Sequence, residues 1–538
     1  MANPSAPSIN RWFVLAVICI PVFVGSLDLT VVSAFLPELI LDLEIPLQTG
    51  LDDAAWIVSA YLLAYTVSLT FTGRLSDLIG RRAVYAVCLI IFIIGSVMVA
   101  VAHQWPTDFI YTIYRRLGDR PDIAYVNLQA IILGRIVQAI GAGALVPVSL
   151  ALVGDMFPPN KRAQPMGLVG AIDTLGWVLG HLYGGIFVQF APWQGLFWVN
   201  VPLTLFALVV TLYALRNVPQ QRVKGRFDFL GTALIIGALT AMNIGLGANI
   251  DLGVGNINQL STIPPYALPL LSLALVFFLL FILVESRVRD PLINLNMFRR
   301  RNIVAGSLTN LFVGYCLFIG LVAVPILVNI RQGDTSTIRQ AALQVGLLLS
   351  ALTVPMAVAT IPGGWLSERI GYSRTTLIGL GLSVIGFLMV WQTWTVDVSD
   401  VLIIIEMAII GVGLGLTFSP ISTSVINAAR DEERGVASAL VLILRLIGIG
   451  LSSSSLATYA INRVNALAVA ELGEEALNTS LYVDTYARIT VGVLAELGLL
   501  GAILSLIAMI PAALMRGDAP SSEPEPDYAA PVTGRTLD

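Results

Sequence analysis

Six ionisable side chains interrupt long apolar runs of this 538-residue chain, each in a different run. Ionisable groups are costly in an apolar environment, so they persist there mainly where they bind protons, ions or substrates, or pair with one another. A carboxylate at such a position can take up and release a proton, whereas an arginine can hold or neutralise a negative charge. These side chains are Asp28, Arg135, Asp173, Glu406, Arg445 and Glu496.

Asp28 is the strongest candidate for reversible proton binding, because it lies in the middle of the first apolar run, two residues before Thr30. Its alternative role is that of a structural partner for an arginine.

Arg135 and Gln138 are three residues apart and therefore share one face of a helix. Arg135 either anchors a polar network or contacts substrate. Glu406 is a weaker candidate because it lies near the end of its run.

A short motif occurs twice, each time between two apolar runs. Residues 73–80 and 364–371 both read Gly-x-Leu-Ser-acid-x-Ile-Gly, with Asp77 in the first copy and Glu368 in the second. Asp77 can accept charge-assisted hydrogen bonds from Arg81 or from a helix N-terminus. The glycines of these two loop motifs, which allow tight turns and close helix approach, are Gly73, Gly80, Gly364 and Gly371. Because such a cluster can form in one conformation and break in another, we predict a gate; the alternative is a positively charged membrane anchor.

The composition excludes most classes of soluble protein. Hydrophobic residues make up 57% of the chain and charged residues 12%, whereas soluble proteins carry about 25% charged residues. Lipid must therefore be the solvent for most of the surface. Neither Lys161 nor Lys224 lies in a phosphate-binding Gly-Lys-Ser/Thr sequence, and the two histidines form no zinc-binding pair. We expect no enzyme activity, no cofactor, no metal and no nucleic-acid partner.

Fourteen apolar runs are long enough to cross a bilayer as helices, which requires about 20 residues each. The sequence therefore predicts an all-α integral membrane protein. The first run carries Asp28 and is too long for a signal peptide, so we expect it to remain as a span. The runs cover residues 12–37, 53–73, 83–102, 126–152, 164–189, 194–215, 230–250, 266–284, 303–328, 341–364, 375–395, 401–428, 436–460 and 489–513.

Lysine and arginine are distributed unevenly between the two sides of this arrangement. Of the 30 basic residues, 21 fall in the N-terminus, the even-numbered connections and the C-terminus, and 7 fall in the odd-numbered connections. Because basic residues are enriched in cytoplasmic loops, both termini are predicted to be cytoplasmic. Two odd-numbered connections are long: 103–125 is polar, and 461–488 has the apolar spacing of helices that project beyond the bilayer.

The two loop motifs define an internal repeat. Aligning them pairs runs one to six with runs nine to fourteen and leaves runs seven and eight as an insertion. The matched fifth and thirteenth runs would bring Asp173 and Arg445 to a central cavity. The predicted domains are an N-terminal six-helix bundle over 1–216, a two-helix insert over 217–300, a C-terminal six-helix bundle over 301–515 and a disordered cytoplasmic tail over 516–538.

Three motifs in sequence order resemble those of one family of membrane proteins. Residues 27–32 (Leu-Asp-Leu-Thr-Val-Val), 73–82 and 135–138 (Arg-Ile-Val-Gln) are similar to the first-helix, loop and fourth-helix motifs of the major facilitator superfamily, of the fourteen-helix drug:proton antiporter type. The resemblance extends from about residue 12 to residue 515. It implies two six-helix bundles with two inserted linker helices. The residues assigned to proton coupling and the central cavity are Asp28, Thr30, Arg135, Gln138, Asp173, Arg445 and Glu406.

The fifth run has a glycine-rich face. Gly176, Gly180 and Gly184 recur every four residues, with Gly185 beside them, so another helix can approach closely. The run resembles the antiporter motif of the same family, but His181 stands where a proline is normal. A proline would bend the helix, whereas a histidine titrates or forms a hydrogen bond, so the effect of His181 stays open.

The resemblance implies a proton-coupled secondary transporter that exports hydrophobic or amphipathic compounds by alternating access. Residues 173–183 and the segment 461–488 are similar to mycobacterial lipid exporters. The substrate stays open between lipids, such as triacylglycerols or glycolipids, and drugs. The expected partners are the lipid bilayer of a bacterial plasma membrane, protons and a periplasmic or extracellular lipid carrier, and the expected state is a monomer. The alternative is a non-transporting receptor or scaffold on the same fold.

Overall fold

A computed structural model describes residues 10–43, 47–218, 222–223, 225–247, 266–332, 338–473 and 483–516. Every regular element in these ranges is a helix, which confirms the predicted all-α class. The tail predicted to be disordered beyond residue 516 lies outside the described residues. The α-helices are α1 (Arg11–Asp42), α2 (Leu47–Ile79), α3 (Arg81–Ala100), α4 (Trp105–Arg116), α5 (Ile123–Ala142), α6 (Leu145–Met156), α7 (Ala163–Phe187), α8 (Gln194–Ala214), α9 (Phe229–Gly247), α10 (Ala267–Glu285), α11 (Arg301–Gln332), α12 (Ile338–Ile370), α13 (Tyr372–Thr393), α14 (Asp400–Ala428), α15 (Arg434–Leu472) and α16 (Val483–Leu514).

Thirteen stretches of the described residues are long and apolar enough to cross a membrane. They correspond to thirteen of the fourteen predicted runs. The remaining run, the fifth, forms α7, a helix of 25 residues in which glycines and Asp173 lower the apolar content. At about 1.5 Å per residue, α7 is still long enough to cross the hydrocarbon core.

The fourth predicted run is two helices, not one. α5 ends at Ala142 and α6 begins at Leu145. Pro147, in the first turn of α6, has no backbone N–H and cannot continue the hydrogen bonding of α5. Its carbonyl oxygen accepts a hydrogen bond of 2.8 Å from the Ser438 hydroxyl of α15. The break therefore lies beside a contact between the two halves of the chain.

Two groups of helices each pack together: α1–α8 around two clusters of buried apolar residues, and α11–α16 around a third. We call them the N-terminal bundle and the C-terminal bundle. α9 and α10 pack against each other as a two-helix insert, and α9 contacts α2 and α15. The two bundles meet where α2 and α6 pack on α15 and where α7 packs on α12 and α14.

Both loop motifs lie at one end of the molecule, with the α6–α7 and α14–α15 connections. We call this the basic end, because its connections carry most of the lysines and arginines; the other is the opposite end. The last glycine of each motif makes the turn into the next helix, with φ 100° at Gly80 and φ 91° at Gly371. Only glycine adopts such angles without steric cost.

α15 has 39 residues, more than any other helix in the described ranges, and α16 has 32, against the roughly 20 that cross a bilayer. Their portions at the opposite end pack on each other through Val464, Ala468, Ile489 and Val493. The helical structure predicted for 461–488 is confirmed in its described parts, 461–472 and 483–488. The connection 103–125 contains α4, a helix that the sequence analysis did not predict.

Candidate functional site

Asp28 of α1 lies at the centre of a polar network inside the N-terminal bundle, and its side chain is 0% exposed. Arg135 Nη1 of α5 donates to Asp28 Oδ2 at 2.7 Å. Asp28 Oδ1 accepts hydrogen bonds from Gln138 Nε2 at 2.9 Å and from Asn200 Nδ2 of α8 at 2.7 Å. The network therefore joins α1, α5 and α8. Arg135 and Gln138 share one helix face, and Arg135 Nη1 also donates to Gln138 Oε1 at 2.7 Å.

Close helix packing and an aromatic ring complete this network. Gly95 of α3 lets α5 approach, since an added Cβ would lie 2.5 Å from the Cα of Gln138. The Arg135 guanidinium lies 3.8 Å from the centre of the Tyr61 ring, a favourable cation–π position. Burying a charge pair is tolerable only when hydrogen bonds satisfy the remaining polar atoms. Asn200 and Tyr61 were not identified from the sequence, because neutral polar residues are common in spanning helices.

Thr30 was expected beside Asp28 in the central cavity, but the structure places it elsewhere. Its hydroxyl donates to the carbonyl oxygen of Trp177 on α7 at 2.8 Å. Thr30 is two residues from Asp28, so on a helix it points about 200° away from it. It belongs to the contact between α1 and α7.

Asp173 of α7 and Arg445 of α15 face each other across the boundary between the bundles. Both line a narrow cavity of about 10 Å³, which is roughly the space for one water molecule. Asp173 Oδ1 accepts a hydrogen bond of 2.5 Å from the Ser26 hydroxyl of α1. The Arg445 guanidinium lies 3.7 Å from the centre of the Phe418 ring. Opposite charges from the two bundles thus attract each other through a nearly closed space.

Glu406 was expected in the central cavity, but the structure places it inside the C-terminal bundle. Glu406 is buried between α13 and α14, within the C-terminal bundle. It accepts hydrogen bonds from Thr393 Oγ1 at 2.5 Å and from Trp394 Nε1 at 2.8 Å. Glu406 lies two turns into α14, next to the end of α13. Its hydrogen-bond donors therefore come from the nearby end of α13 and not from the other bundle.

The first loop motif is part of an ionic cluster that reaches the C-terminal bundle. Asp77 Oδ1 lies 2.5 Å from Arg81 Nη1 and accepts a hydrogen bond of 3.2 Å from the backbone N–H of Gly435, in the first turn of α15. Arg81 also pairs with Asp155 of α6 at 3.3 Å. Asp155 in turn pairs with Arg434 of α15 at 3.2 Å. Gly73 packs against the backbone of Gly435, where an added Cβ would overlap its carbonyl oxygen.

The second loop motif makes the matching contact in the other direction. Glu368 Oε1 accepts a hydrogen bond of 3.0 Å from the backbone N–H of Gln164, in the first turn of α7. Gly364 packs against Ala163, where an added Cβ would lie 2.5 Å from the carbonyl oxygen. Helix N-termini carry unpaired N–H groups and attract negative charge. Each motif therefore binds the start of a helix in the opposite bundle.

Other contacts close the basic end between the bundles. Arg162 Nη1 donates to Asn427 Oδ1 at 2.7 Å, and the Ser419 hydroxyl donates to the carbonyl oxygen of Ala163 at 2.5 Å. Burial lowers the pKa of Arg162 to about 10, so its guanidinium stays charged at neutral pH. Together with the two loop motifs, these contacts show a conformation that is closed at the basic end.

A larger cavity of about 290 Å³ lies at the opposite end of the N-terminal bundle. Its lining includes Asp42, whose Oδ2 accepts a hydrogen bond of 2.9 Å from Trp193 Nε1. His103 and Asn127 also line it, as does Ile131, one helical turn before Arg135. The sequence analysis did not identify this cavity, because its lining comes from four separate chain segments.

The glycine-rich face of α7 packs on α1 at two of its predicted positions. An added Cβ on Gly176 would lie 2.6 Å from the Cβ of Ser26, and one on Gly180 would overlap the carbonyl oxygen of Leu27. Gly184 is buried. Gly185 faces open space and takes no part in this contact. The side chain of His181 lies outside the described residues.

Residues 18–453 match the family model described as Major Facilitator Superfamily. The chain belongs to the Major Facilitator Superfamily. This confirms the family inferred from the three motifs. The superfamily and the relatives below are transporters, so the chain is a multi-pass membrane transporter and not an enzyme.

Curated relatives of this superfamily member carry a more specific name. A triacylglyceride transporter of Mycobacteroides abscessus is 29% identical over 470 residues, which cover 85% of this chain and 84% of the relative. A triacylglyceride transporter of Mycobacterium tuberculosis is 31% identical over 460 residues, covering 83% and 82%.

Solved structures support the superfamily fold. The human organic anion transporter MFSD10 is 17% identical, with a TM-score of 0.56 and coverage of 92% of this chain and 99% of that one. The proton:xylose symporter XylE is 14% identical, with a TM-score of 0.57 and coverage of 91% and 94%. At these identities the likeness concerns the fold alone.

Proposed function

We propose that this transporter exports triacylglycerol-like lipids across a bacterial plasma membrane, with both termini and the basic end in the cytoplasm, and that protons drive it. The observation that carries proton coupling is the fully buried carboxylate of Asp28, held by Arg135 at 2.7 Å. A carboxylate kept at that depth is rare unless it pairs or binds protons. The orientation is supported by the 21 basic residues at the two termini and the even-numbered predicted connections.

Protonation of Asp28 would remove one charge of the buried pair. Ser26, two residues earlier on α1, donates to Asp173, which faces Arg445 of the other bundle. A shift of α1 that follows weakening of the Asp28–Arg135 pair would therefore alter the contact between the bundles. Such a change biases the populations of two conformations, which is what alternating access requires. One charge moved through the membrane potential supplies about 2.3 kcal/mol per 100 mV.

Proton access is proposed from the opposite end in the conformation described. The basic end is closed by the contacts of Asp77 and Glu368, whereas the 290 Å³ cavity lies at the opposite end. Its wall residue Ile131 is one helical turn from Arg135. In this proposal, protons from the outer solution reach Asp28 through this cavity.

The lipid substrate is supported by the names of the relatives and by the long helices α15 and α16. The relatives that match more than four fifths of this chain are named triacylglyceride transporters. The apolar contact of Val464 with its neighbours on α16 holds the two helices together beyond the length of a bilayer span. Such an extension can shield an acyl chain that leaves the membrane for an extracellular lipid carrier, and the monomer suffices for this role.

Reconstituted vesicles test the proposal. A fluorescent triacylglycerol and an imposed proton gradient should give uphill lipid movement with the wild-type protein. Asp28→Asn should reduce that movement at least tenfold, while Glu432→Gln, at an exposed carboxylate, should retain it. An Asp28→Asn protein that moves lipid uphill at the wild-type rate would overturn the proton role.

Export of amphipathic drugs is the second candidate. The carboxylate of Asp173 at the bundle boundary would attract a cationic amphipathic compound, whereas a neutral lipid carries no charge for it to bind. Removing residues 461–488 separates the two candidates. Loss of lipid transport with retained drug transport would support the lipid role of the extension, and unchanged lipid transport would contradict it. A wild-type protein that moves neither compound would favour a receptor or scaffold.

A further inference from the structure

The two-helix insert is attached to the first loop motif by the segment that precedes α9. The backbone N–H of Val223 donates to the carbonyl oxygen of Asp77 at 2.9 Å. At Gly225, an added Cβ would lie 3.4 Å from Arg74 Nη2 and 3.4 Å from Asp290 Oδ1. Arg74 belongs to the loop motif and Asp290 to the segment after α10, so this junction joins α2 to both ends of the insert.

Two carboxylates of the insert are buried at this junction. Asp228 is 9% exposed and Glu285 is 4% exposed. Asp228 Oδ1 caps α9 by accepting a hydrogen bond of 2.8 Å from the backbone N–H of Gly231. Glu285 Oε1 accepts one of 3.2 Å from the backbone N–H of Leu292. Each carboxylate thus uses one oxygen, while Asp228 Oδ2 and Glu285 Oε2 are buried with no hydrogen-bond partner among the described residues.

Asp228 and Glu285 both reach the space beside Gly231. An added Cβ on Gly231 would lie 2.5 Å from Asp228 Oδ2 and 2.6 Å from Glu285 Oε1, so both oxygens border the same small space. Two ionised carboxylates at such proximity repel each other, and a single proton bound between them relieves the repulsion.

Without that proton, the negative charges buried at this junction outnumber the positive charge near them. Arg74 of α2 is a cation close to Glu285, and Asp290 is a further anion of the junction. One guanidinium offsets one of the two buried negative charges. The second charge would be left in a site from which water is excluded, which is costly.

We propose that Asp228 and Glu285 form a second proton-binding site, which holds one proton between the two carboxyl groups. The bound proton keeps α9 and α10 together at the junction and so fixes the insert against the first loop motif. Loss of the proton to solvent at the basic end leaves two carboxylates that repel each other across Gly231. This site is separate from the Asp28 network and does not depend on the function proposed above.

Infrared spectra of the purified full-length protein test the proposal directly. A protonated carboxyl group has a C=O stretching band that an ionised one lacks. In difference spectra at neutral pH, where ordinary carboxyl groups are ionised, Asp228→Asn and Glu285→Gln should each remove one such band that the wild type shows. Asp290→Asn, which removes a carboxylate of the same junction outside the pair, should retain the band.

Thermal unfolding as a function of pH gives a second measurement. A proton bound by the pair stabilises the folded protein at low pH. This contribution to stability is lost as the pH rises and the proton leaves the folded protein. Glu285→Gln should therefore flatten the fall in unfolding temperature that the wild type shows with rising pH. Asp228→Asn keeps the N-terminal cap of α9, because asparagine also caps helices. This variant can therefore be measured in place of Glu285→Gln if that protein folds poorly.

Three results would overturn the proposal. The first is wild-type spectra in both variants. The second is a wild-type pH slope in both variants. The third is a dependence of the unfolding temperature on sodium or potassium concentration that both variants abolish, which would assign the site to a metal cation and not to a proton.

Discussion

The carboxylate of Asp77 accepts a hydrogen bond of 3.2 Å from the backbone N–H of Gly435, which lies at the start of α15 in the other bundle. Glu368 and Gln164 repeat this relationship with the bundles exchanged, at 3.0 Å. Each acid faces unpaired N–H groups of a helix N-terminus. The internal repeat thus places one such contact in each half of the interface, and both must break before the basic end opens.

Neutralising either acid should favour opening of the basic end. We expect Asp77→Asn and Glu368→Gln each to destabilise the closed conformation, relative to the open one, by about 0.5–2 kcal/mol, because a negative charge at a helix N-terminus is lost. Spin labels at the exposed positions Asn160 and Arg374 would report the separation of the bundles. Each variant should add a population with a longer distance.

Glu432→Gln is the matched control for this measurement, because it neutralises an exposed carboxylate in the α14–α15 connection. It should leave the distance distribution unchanged. Wild-type distributions in both Asp77→Asn and Glu368→Gln would show that these contacts do not hold the basic end closed.

An added methyl group at Gly364 should also oppose closure. The Cβ of Gly364→Ala would lie 2.5 Å from the carbonyl oxygen of Ala163, closer than packed atoms approach. Overpacking of this kind costs roughly 1–3 kcal/mol. The same pair of spin labels should show a shift to longer distances. Gly381→Ala, on α13 where an added Cβ meets nothing within 4 Å, should behave as the wild type.

The contact between α1 and α7 should make two nearby glycines respond in opposite ways. Gly180→Ala would overlap Thr30 and Leu27 and should lower the free energy of unfolding by about 1–3 kcal/mol. Gly185→Ala meets open space and should raise it by up to about 1 kcal/mol, since alanine favours helix. Thermal unfolding in detergent would measure both. Equal effects of the two substitutions would contradict the described packing of α7 on α1.

Arg135→Lys should weaken transport although it conserves the charge. The guanidinium donates to Asp28 Oδ2 at 2.7 Å and to its carbonyl oxygen at 3.2 Å, and it lies over the Tyr61 ring. A lysine ammonium cannot reproduce this planar arrangement. We expect a loss of about 1–3 kcal/mol in stability and at least a tenfold loss of proton-driven transport.

Arg463→Lys provides the comparison for that variant, because Arg463 pairs with Glu496 on an exposed surface. Such pairs contribute about 0–1 kcal/mol. If Arg135→Lys and Arg463→Lys proved equally mild in unfolding and transport assays, the buried network would not have the role assigned to it.

Sequence alone determined the class of this protein. Helical spans follow from the length of apolar runs and from the scarcity of charge, which are local properties that lipid selects. The motif repeat at Gly73 and Gly364 indicated two related halves, and the positive φ angles at Gly80 and Gly371 are the backbone reason for the last glycine of each copy. For Asp77, the sequence analysis left open whether its donor is Arg81 or a helix N-terminus, and the structure has both.

Only the tertiary structure decided which groups meet. Spacing within a run fixes the helix face of a residue, but the rotation and depth of that helix depend on packing with helices far away in the sequence. Asp28 meets Arg135, Ser26 meets Asp173 and Asp77 meets Gly435, over separations that no local pattern records. For the same reason Glu406 lies within one bundle and not between the two, and the pairing of Asp228 with Glu285 could not be foreseen from sequence.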